Sequence, residues 1–346
     1  METLWFCLVA LMLALYVVFD GFDIGVGIVH LLVAKTDAER RVTLRSIGPV
    51  WDGNEVWLIA AGGTLYFAFP ALYAASFSGF YLPLMIVLWL LILRGISIEL
   101  RNHLEGPVWP PFWDAVFTLS SLLLAVFFGA ALGNVIRGVP MDGEGRFFEP
   151  LWTDFRPGAD AGILDWYTSS VGLAALAALA LHGALWITLK TRDAIRERAR
   201  KLAVLAWWGV AGLTAVITLF SLRLQPQILS NLAGRPWGCV FPAAALLGLI
   251  GAYRFHRARR EVKAFLSSCT YLAGMIASAA FGIYPNVLPA VTGPARSLTI
   301  ANAAAPEHGL RIGLVWWTVG VVLAIGYVLF SYSRFAGKVT PETEGY

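Results

Sequence analysis

The chain has 346 residues, 58% of them apolar and only 14% charged, with a formal net charge of +4. A mean hydropathy of +0.69 at this length excludes an ordinary water-soluble domain and points to a protein embedded in a bilayer. The basic excess is no argument for nucleic acid, because the lysines and arginines collect in short segments between apolar runs, where membrane topology explains them.

A helix needs about 20 apolar residues to cross roughly 30 Å of hydrocarbon. On that measure the sequence predicts an all-α membrane protein of about nine spans, near 3–34, 48–70, 74–100, 111–137, 161–190, 202–223, 237–255, 264–285 and 309–334. The start Met1-Glu2-Thr3 lacks a basic leader, and the apolar run behind it is too long for a signal core, so the first span is expected to be retained. Longer polar segments near 138–160 and 286–308 carry Gly, Pro and Asn suited to turns. The loop after the fourth span is compatible with a grouping of four, four and one helices. The units would then be 1–137, a loop at 138–160, a second set at 161–285, and a last loop, helix and tail over 286–346. If the amino terminus lies outside, eighteen of the 26 lysines and arginines fall in inner segments and seven in outer ones. That asymmetry orients the chain with its N-terminus out and its C-terminus in the cytoplasm.

The remaining basic residue, Arg94, lies inside the third span, and carboxylates gather around it in the first half of the chain. Asp20 and Asp23 are in the first span, Asp52 and Glu55 in the second, Glu99 near the end of the third, and Asp114 at the start of the fourth. Ionisable groups at membrane depth cost a few kcal/mol and normally face the protein interior. At about 100° per residue, Asp20, Asp23 and Gly27 share one stripe of the first helix, beside a strip of small residues containing Gly21 and Gly25. Asp52, Glu55, Ile59 and Gly62 share a stripe of the second helix, so both carboxylates there are expected to point into one cavity. Glu99 stands about 140° around the third helix from Arg94, which makes the two poor partners. Asp52 and Arg94 each lie about 10 Å from the inner surface. The economical expectation is a network pairing Arg94 with Asp20, Asp23 or Asp52 in the cytoplasmic half. Two roles suit it: structural pairing that fixes helix register, or proton conduction from the cytoplasmic face, with Asp52 and Glu55 at the mouth.

Other residue types offer less chemistry. Of the five histidines only His182 sits deep in a span, and a lone buried histidine is more often a hydrogen-bonded core residue than an axial haem ligand, so no haem is expected in this chain. The three cysteines have no pair at metal or redox spacing. The fourteen tryptophans read as interface-belt and packing residues, against which a structural quinone or lipid can lodge. No phosphate-binding glycine loop, nucleophile with its base, or zinc site is present, so the chain alone is not expected to be catalytic.

Read as words, the polar residues give Asp20-Gly-Phe-Asp-Ile-Gly-Val-Gly, then Pro49-Val-Trp-Asp-Gly-Asn-Glu-Val-Trp-Leu, then Phe69-Pro-Ala-Leu-Tyr-Ala-Ala-Ser-Phe-Ser-Gly-Phe-Tyr. With Arg94, Glu99 and Arg101, Trp113-Asp114, Gly133-Asn134, Gly138-Val139-Pro140, Tyr284-Pro285 and Leu288-Pro289, the chain resembles subunit II of cytochrome bd-type quinol oxidases, including their cyanide-insensitive branch. The match is strongest before residue 140. The resemblance implies two four-helix bundles plus a peripheral helix in a bacterial inner membrane. It implies a haem-bearing subunit I as partner, with haems b and d there and none here, a quinol substrate, oxygen reduced to water, and room for a small single-helix accessory subunit. Asp20, Asp23, Asp52 and Arg94 occupy the family's polar positions, Glu99 stands where aspartate is also common, and Glu55 where glutamine can occur. Without that resemblance, buried Asp, Glu and Arg beside glycine-interrupted helices would suggest an ion-coupled secondary transporter. The confinement of the charges to the first half favours an accessory subunit instead.

Overall fold

The computed structural model describes residues 1–158 and 160–339. It contains twelve α-helices: α1 (Glu2–Val33), α2 (Asp37–Arg45), α3 (Trp51–Ala68), α4 (Pro70–Gly79), α5 (Tyr81–Leu100), α6 (Trp109–Arg137), α7 (Trp166–Lys190), α8 (Asp193–Leu224), α9 (Gln227–Gly234), α10 (Val240–Arg257), α11 (Glu261–Ile283) and α12 (Glu307–Arg334). Eight of these are long and apolar enough to cross a membrane by length and composition alone. The 18-residue α3, which carries two carboxylates, is the remaining crossing. It leaves the basic end of the molecule after α2, and at its far end Ala68 accepts a backbone hydrogen bond from Ala305 of the last outer loop. Among the described residues nine helices therefore traverse the molecule: α1, α3, α5, α6, α7, α8, α10, α11 and α12.

The expected spans differ from these helices where local chemistry intervenes. The stretch 74–100 is two helices. Pro70 starts α4, whose last residue, Gly79, accepts from Glu149 N of the 138–165 loop through its carbonyl, and α5 begins only at Tyr81. The span expected from 161 begins at Trp166, where the Asp165 side chain accepts from the backbone N–H groups of Tyr167 and Thr168 and caps α7. Helix α8 begins at Asp193, nine residues before its apolar stretch. The inner loop forms α2, held by a capping box between Thr36 and Glu39. The outer loop after α11 folds into a hairpin of β1 (Asn286–Leu288) and β2 (Leu298–Thr299), and Val139 exchanges backbone bonds with Pro289 and Val291 beside it.

Helices α1, α3, α5 and α6 form a first bundle and α7, α8, α10 and α11 a second, with α12 outside both. Only Leu310 of α12 is fully buried. The bundles meet where α1 crosses α7. A side chain at Gly25 would put its Cβ 2.1 Å from the Leu179 carbonyl oxygen, and one at Gly183 would put it 2.1 Å from the Gly25 carbonyl carbon. Only glycine permits that approach. Below the crossing, Phe22 stacks on Trp186 at 4.0 Å between ring centroids. Helix α1 thus spends its glycine strip on α7 and turns its acidic stripe toward α3 and α5.

Candidate functional site

The acidic stripe of α1 meets the one arginine that α5 places at membrane depth. Arg94 is fully buried, and its two terminal nitrogens reach different helices: Nη1 lies 2.7 Å from Asp20 Oδ1 and Nη2 donates to Glu55 Oε2 at 2.9 Å. Asp20 and Asp23 are both inaccessible to solvent, whereas the Glu55 side chain is 24% exposed. Asp23 stands apart from the ion pairs. Its Oδ2 accepts from Asn54 Nδ2 at 2.7 Å, and the Tyr332 hydroxyl of α12 donates to Asn54 Oδ1 at 2.9 Å. Among the described residues no cation lies within ion-pair distance of Asp23. Burying a charge is tolerable only with such partners.

A second network closes the basic end. Asp114, at the start of α6, accepts from Arg101 at 2.6 and 3.1 Å and from Arg40 at 3.2 Å, and it bonds His30 Nε2 at 2.8 Å. The other ring nitrogen of His30 meets the Thr43 hydroxyl at 2.7 Å, and Arg101 also reaches Asp37 at 2.7 Å. The Arg101 guanidinium holds the exposed Asp37 carboxyl below the usual range, although partial burial opposes it. Phe117 packs against both His30 and Gly27, separating this network from Asp23.

A third cluster pins the opposite end. Arg137 donates to Glu149 Oε1 at 2.6 Å, to Asn134 Oδ1 at 2.7 Å, to the Gly162 carbonyl at 3.1 Å and to the capping residue Asp165. In this outer loop burial pushes the Glu149 carboxyl up to about 7, against the downward pull of Arg137.

The profile of the family described as "Cytochrome bd terminal oxidase subunit II" matches residues 1–335 of this chain. The chain belongs to that family. A probable cytochrome oxidase subunit 2 of Haemophilus influenzae is 33% identical, covering 97% of this chain and 94% of that one. The cytochrome bd-I ubiquinol oxidase subunit 2 of Escherichia coli strain K12 is 30% identical, covering 98% and 95%. A bd oxidase structure from Geobacillus thermodenitrificans superposes with a TM-score of 0.77 over 96% of this chain and 98% of that chain, at 20% identity.

Within this subunit II, three of the seven candidate residues, Asp20, Glu55 and Arg94, form one ion-paired cluster, and Asp23 lies outside it, bonded to the neutral amide of Asn54. Asp52 does not join, contrary to expectation. The buried stripe of α3 is Asn54, Trp57, Ala61, Thr64 and Ala68, so the stripe carrying Asp52 and Ile59 faces outward, and Ile59 is 71% exposed. Glu55 reaches Arg94 from the edge of that outer stripe, and Asp52 stands exposed one turn before it. Asp52 lies in a groove of about 680 Å³ between α3 and α12, lined also by Trp57, Trp316, Trp317 and Tyr327. Glu99 is exposed at the basic end of α5, and Asp114 belongs to the second network.

Sequence reasoning passed over Asn54, Tyr332, His30 and the Arg137 cluster. Asn54 was visible inside the Trp-Asp-Gly-Asn word, but nothing linear couples it to a tyrosine 278 residues away. The two histidines buried deepest have both ring nitrogens engaged, His30 as above and His182 with Ser268 Oγ at 2.8 Å and the Val18 carbonyl at 3.0 Å. Among the described residues no three His, Cys, Asp or Glu side chains are placed to hold a metal ion.

Proposed function

We propose that this chain is the haem-free half of a quinol-oxidising, oxygen-reducing complex. In this reading it completes the assembly of a haem-bearing subunit I, which carries haems b and d, and it supplies protons from the cytoplasmic side. The observation that carries the proton assignment is a graded series of carboxyls. Asp52 is exposed in the groove, Glu55 is partly exposed one turn deeper, and Asp20 and Asp23 are sealed. Asp20 is tied to Arg94, so it serves to hold the site's charge and geometry. Asp23, bonded only to a neutral amide, is the carboxyl free to change its charge.

The haem-free reading is supported by the engagement of both nitrogens of His30 and His182, which leaves neither lone pair open for iron. Orientation with the N-terminus outside is supported by the gathering of basic segments at one end, where Arg198 pairs with Glu39 and Lys338 with Glu261. The tryptophan-lined groove offers an apolar wall for a bound quinone or lipid.

The test is oxygen consumption with added quinol, together with a reduced-minus-oxidised absorption spectrum, in membranes expressing this chain with and without its partner. Haem signal and activity are expected only when both are present. A haem signal from this chain alone would overturn the haem-free assignment, and transport activity without a partner would revive the carrier reading.

A further inference from the structure

Helix α12 is peripheral, yet one of its side chains reaches the buried charge cluster. Tyr332 is half-buried, boxed by the rings of Phe19, Phe22 and Trp186 at centroid distances of 5.8, 6.5 and 6.4 Å. Its hydroxyl donates to Asn54 Oδ1, and Asn54 Nδ2 donates to Asp23. Among the described residues this is the one side-chain to side-chain hydrogen bond from α12 to another helix.

The chemistry of this trio is particular. An ionised Asp23 only accepts, so Asn54 must turn its amide nitrogen toward it and its carbonyl toward the tyrosine. A protonated Asp23 donates, which suits the flipped amide, with Oδ1 toward Asp23 and Nδ2 toward the tyrosine. A phenol hydroxyl both donates and accepts, so Tyr332 satisfies the amide in either orientation, whereas a lysine, a carboxylate or a backbone carbonyl would satisfy only one. We propose that Asn54 and Tyr332 are positioning residues forming a two-way clamp, which lets Asp23 gain and lose a proton without leaving a buried polar atom unpaired. This rests on the reading of Asp23 as a proton carrier and specifies how that carriage is made reversible. The other titratable or charged groups around Asp23 are Asp20 of α1, Glu55 of α3 and Arg94 of α5, and none of them bonds the amide.

The experiment uses the assembled two-subunit complex. Tyr332→Phe keeps the ring packing and removes only the hydroxyl. The measurements are quinol-driven turnover in H₂O and D₂O, and the redox-induced infrared difference spectrum, with the Asp23 carboxyl band identified by its loss in Asp23→Asn. Tyr332→Phe is expected to slow turnover by roughly fivefold, the scale of one neutral hydrogen bond. It should also enlarge the solvent isotope effect and shift the Asp23 band, while leaving haem content unchanged. Asn54→Ser, read the same way, serves if Tyr332→Phe does not assemble. An unmoved band with an unchanged isotope effect overturns the clamp. If Asp23→Asn itself turns over normally, the proton-carrier reading falls; if Asp23→Asn is slow while Tyr332→Phe is silent, only the clamp does.

Discussion

Replacing Arg94 by methionine removes the one cation that faces Asp20 and Glu55 at 2.7 and 2.9 Å. Methionine nearly fills the same volume, so packing changes little and the consequence is electrostatic. Asp20 is then a carboxyl with no exposure to water and no counter-charge. Breaking one side of such a buried pair costs about 3–5 kcal/mol, or roughly two to three and a half decades in an equilibrium or in survival against unfolding. Membrane complexes lose structure irreversibly, so the quantity to follow is a rate. The half-life of the detergent-solubilised complex at one elevated temperature, read by tryptophan fluorescence and monodispersity, should fall by at least a hundredfold. The companion variant Arg94→Met with Asp20→Leu and Glu55→Met removes all three charges, and it should recover most of the lost lifetime, since buried ion pairs are often replaceable by apolar residues of like volume. A triple variant as fragile as the single one would refute the electrostatic reasoning and make Arg94 a packing residue.

Four further outcomes follow from the structure. Gly25→Ala drives a methyl group into the Leu179 carbonyl at 2.1 Å, so the yield of monodisperse complex should drop by the equivalent of about 1–3 kcal/mol of overpacking. Gly62→Ala, with nothing within 4 Å of its new Cβ, should be silent. Asp52→Asn leaves an exposed position without ion pairs, so stability should hold while quinol-driven oxygen consumption falls by roughly tenfold or more; unchanged turnover would remove Asp52 from the proton route. Glu149 has a free value of 4.5 raised to about 7 in the fold. The folded outer loop thus binds its proton more tightly than the unfolded chain does. Its stabilisation is complete below pH 4.5 and is lost as pH rises through 7, a change of a few kcal/mol. Protection from hydrogen exchange over 138–165, taken relative to the intrinsic amide rate at each pH, should fall between pH 5 and pH 8 in the parent and stay level in Glu149→Gln.

The helical architecture was legible because hydrophobic runs and loop charges are one-dimensional signals: the spans and the segregation of basic residues need no knowledge of packing. The pairing of Arg94 with α1 was readable in part, since depth and helical phase offered Asp20, Asp23 or Asp52 as its partner, and the structure pairs it with Asp20. What phase alone does not supply is which side of α3 faces inward. Its polar and apolar residues are nearly evenly spread around the axis, and Asn54 with Trp57, rather than Asp52 with Ile59, fills the seam against α1. Helix α4 was missed because its residues are as apolar as those of a span, and only Pro70 divides it from α3 and the turn at Phe80 from α5. The Arg137 cluster was unreadable for another reason: its partners Glu149 and Asp165 come from a loop whose path is set by contacts distant in sequence.

The two faces of α1 bear on how the chain is made. Asp20 leaves the ribosome 74 residues before Arg94, which at about 5–20 residues per second means roughly 4–15 s without its cation. Gly183, the surface that receives the glycine strip, arrives later still. Helix α1 therefore reaches the insertion machinery before the groups that meet its needs on either side. Until the third crossing appears, its carboxyls are best served near the water boundary or inside the protein channel that delivers them. Synthesis of α5 thus completes the charge balance of α1, and a truncation before Arg94 should leave a first helix held less firmly by the membrane.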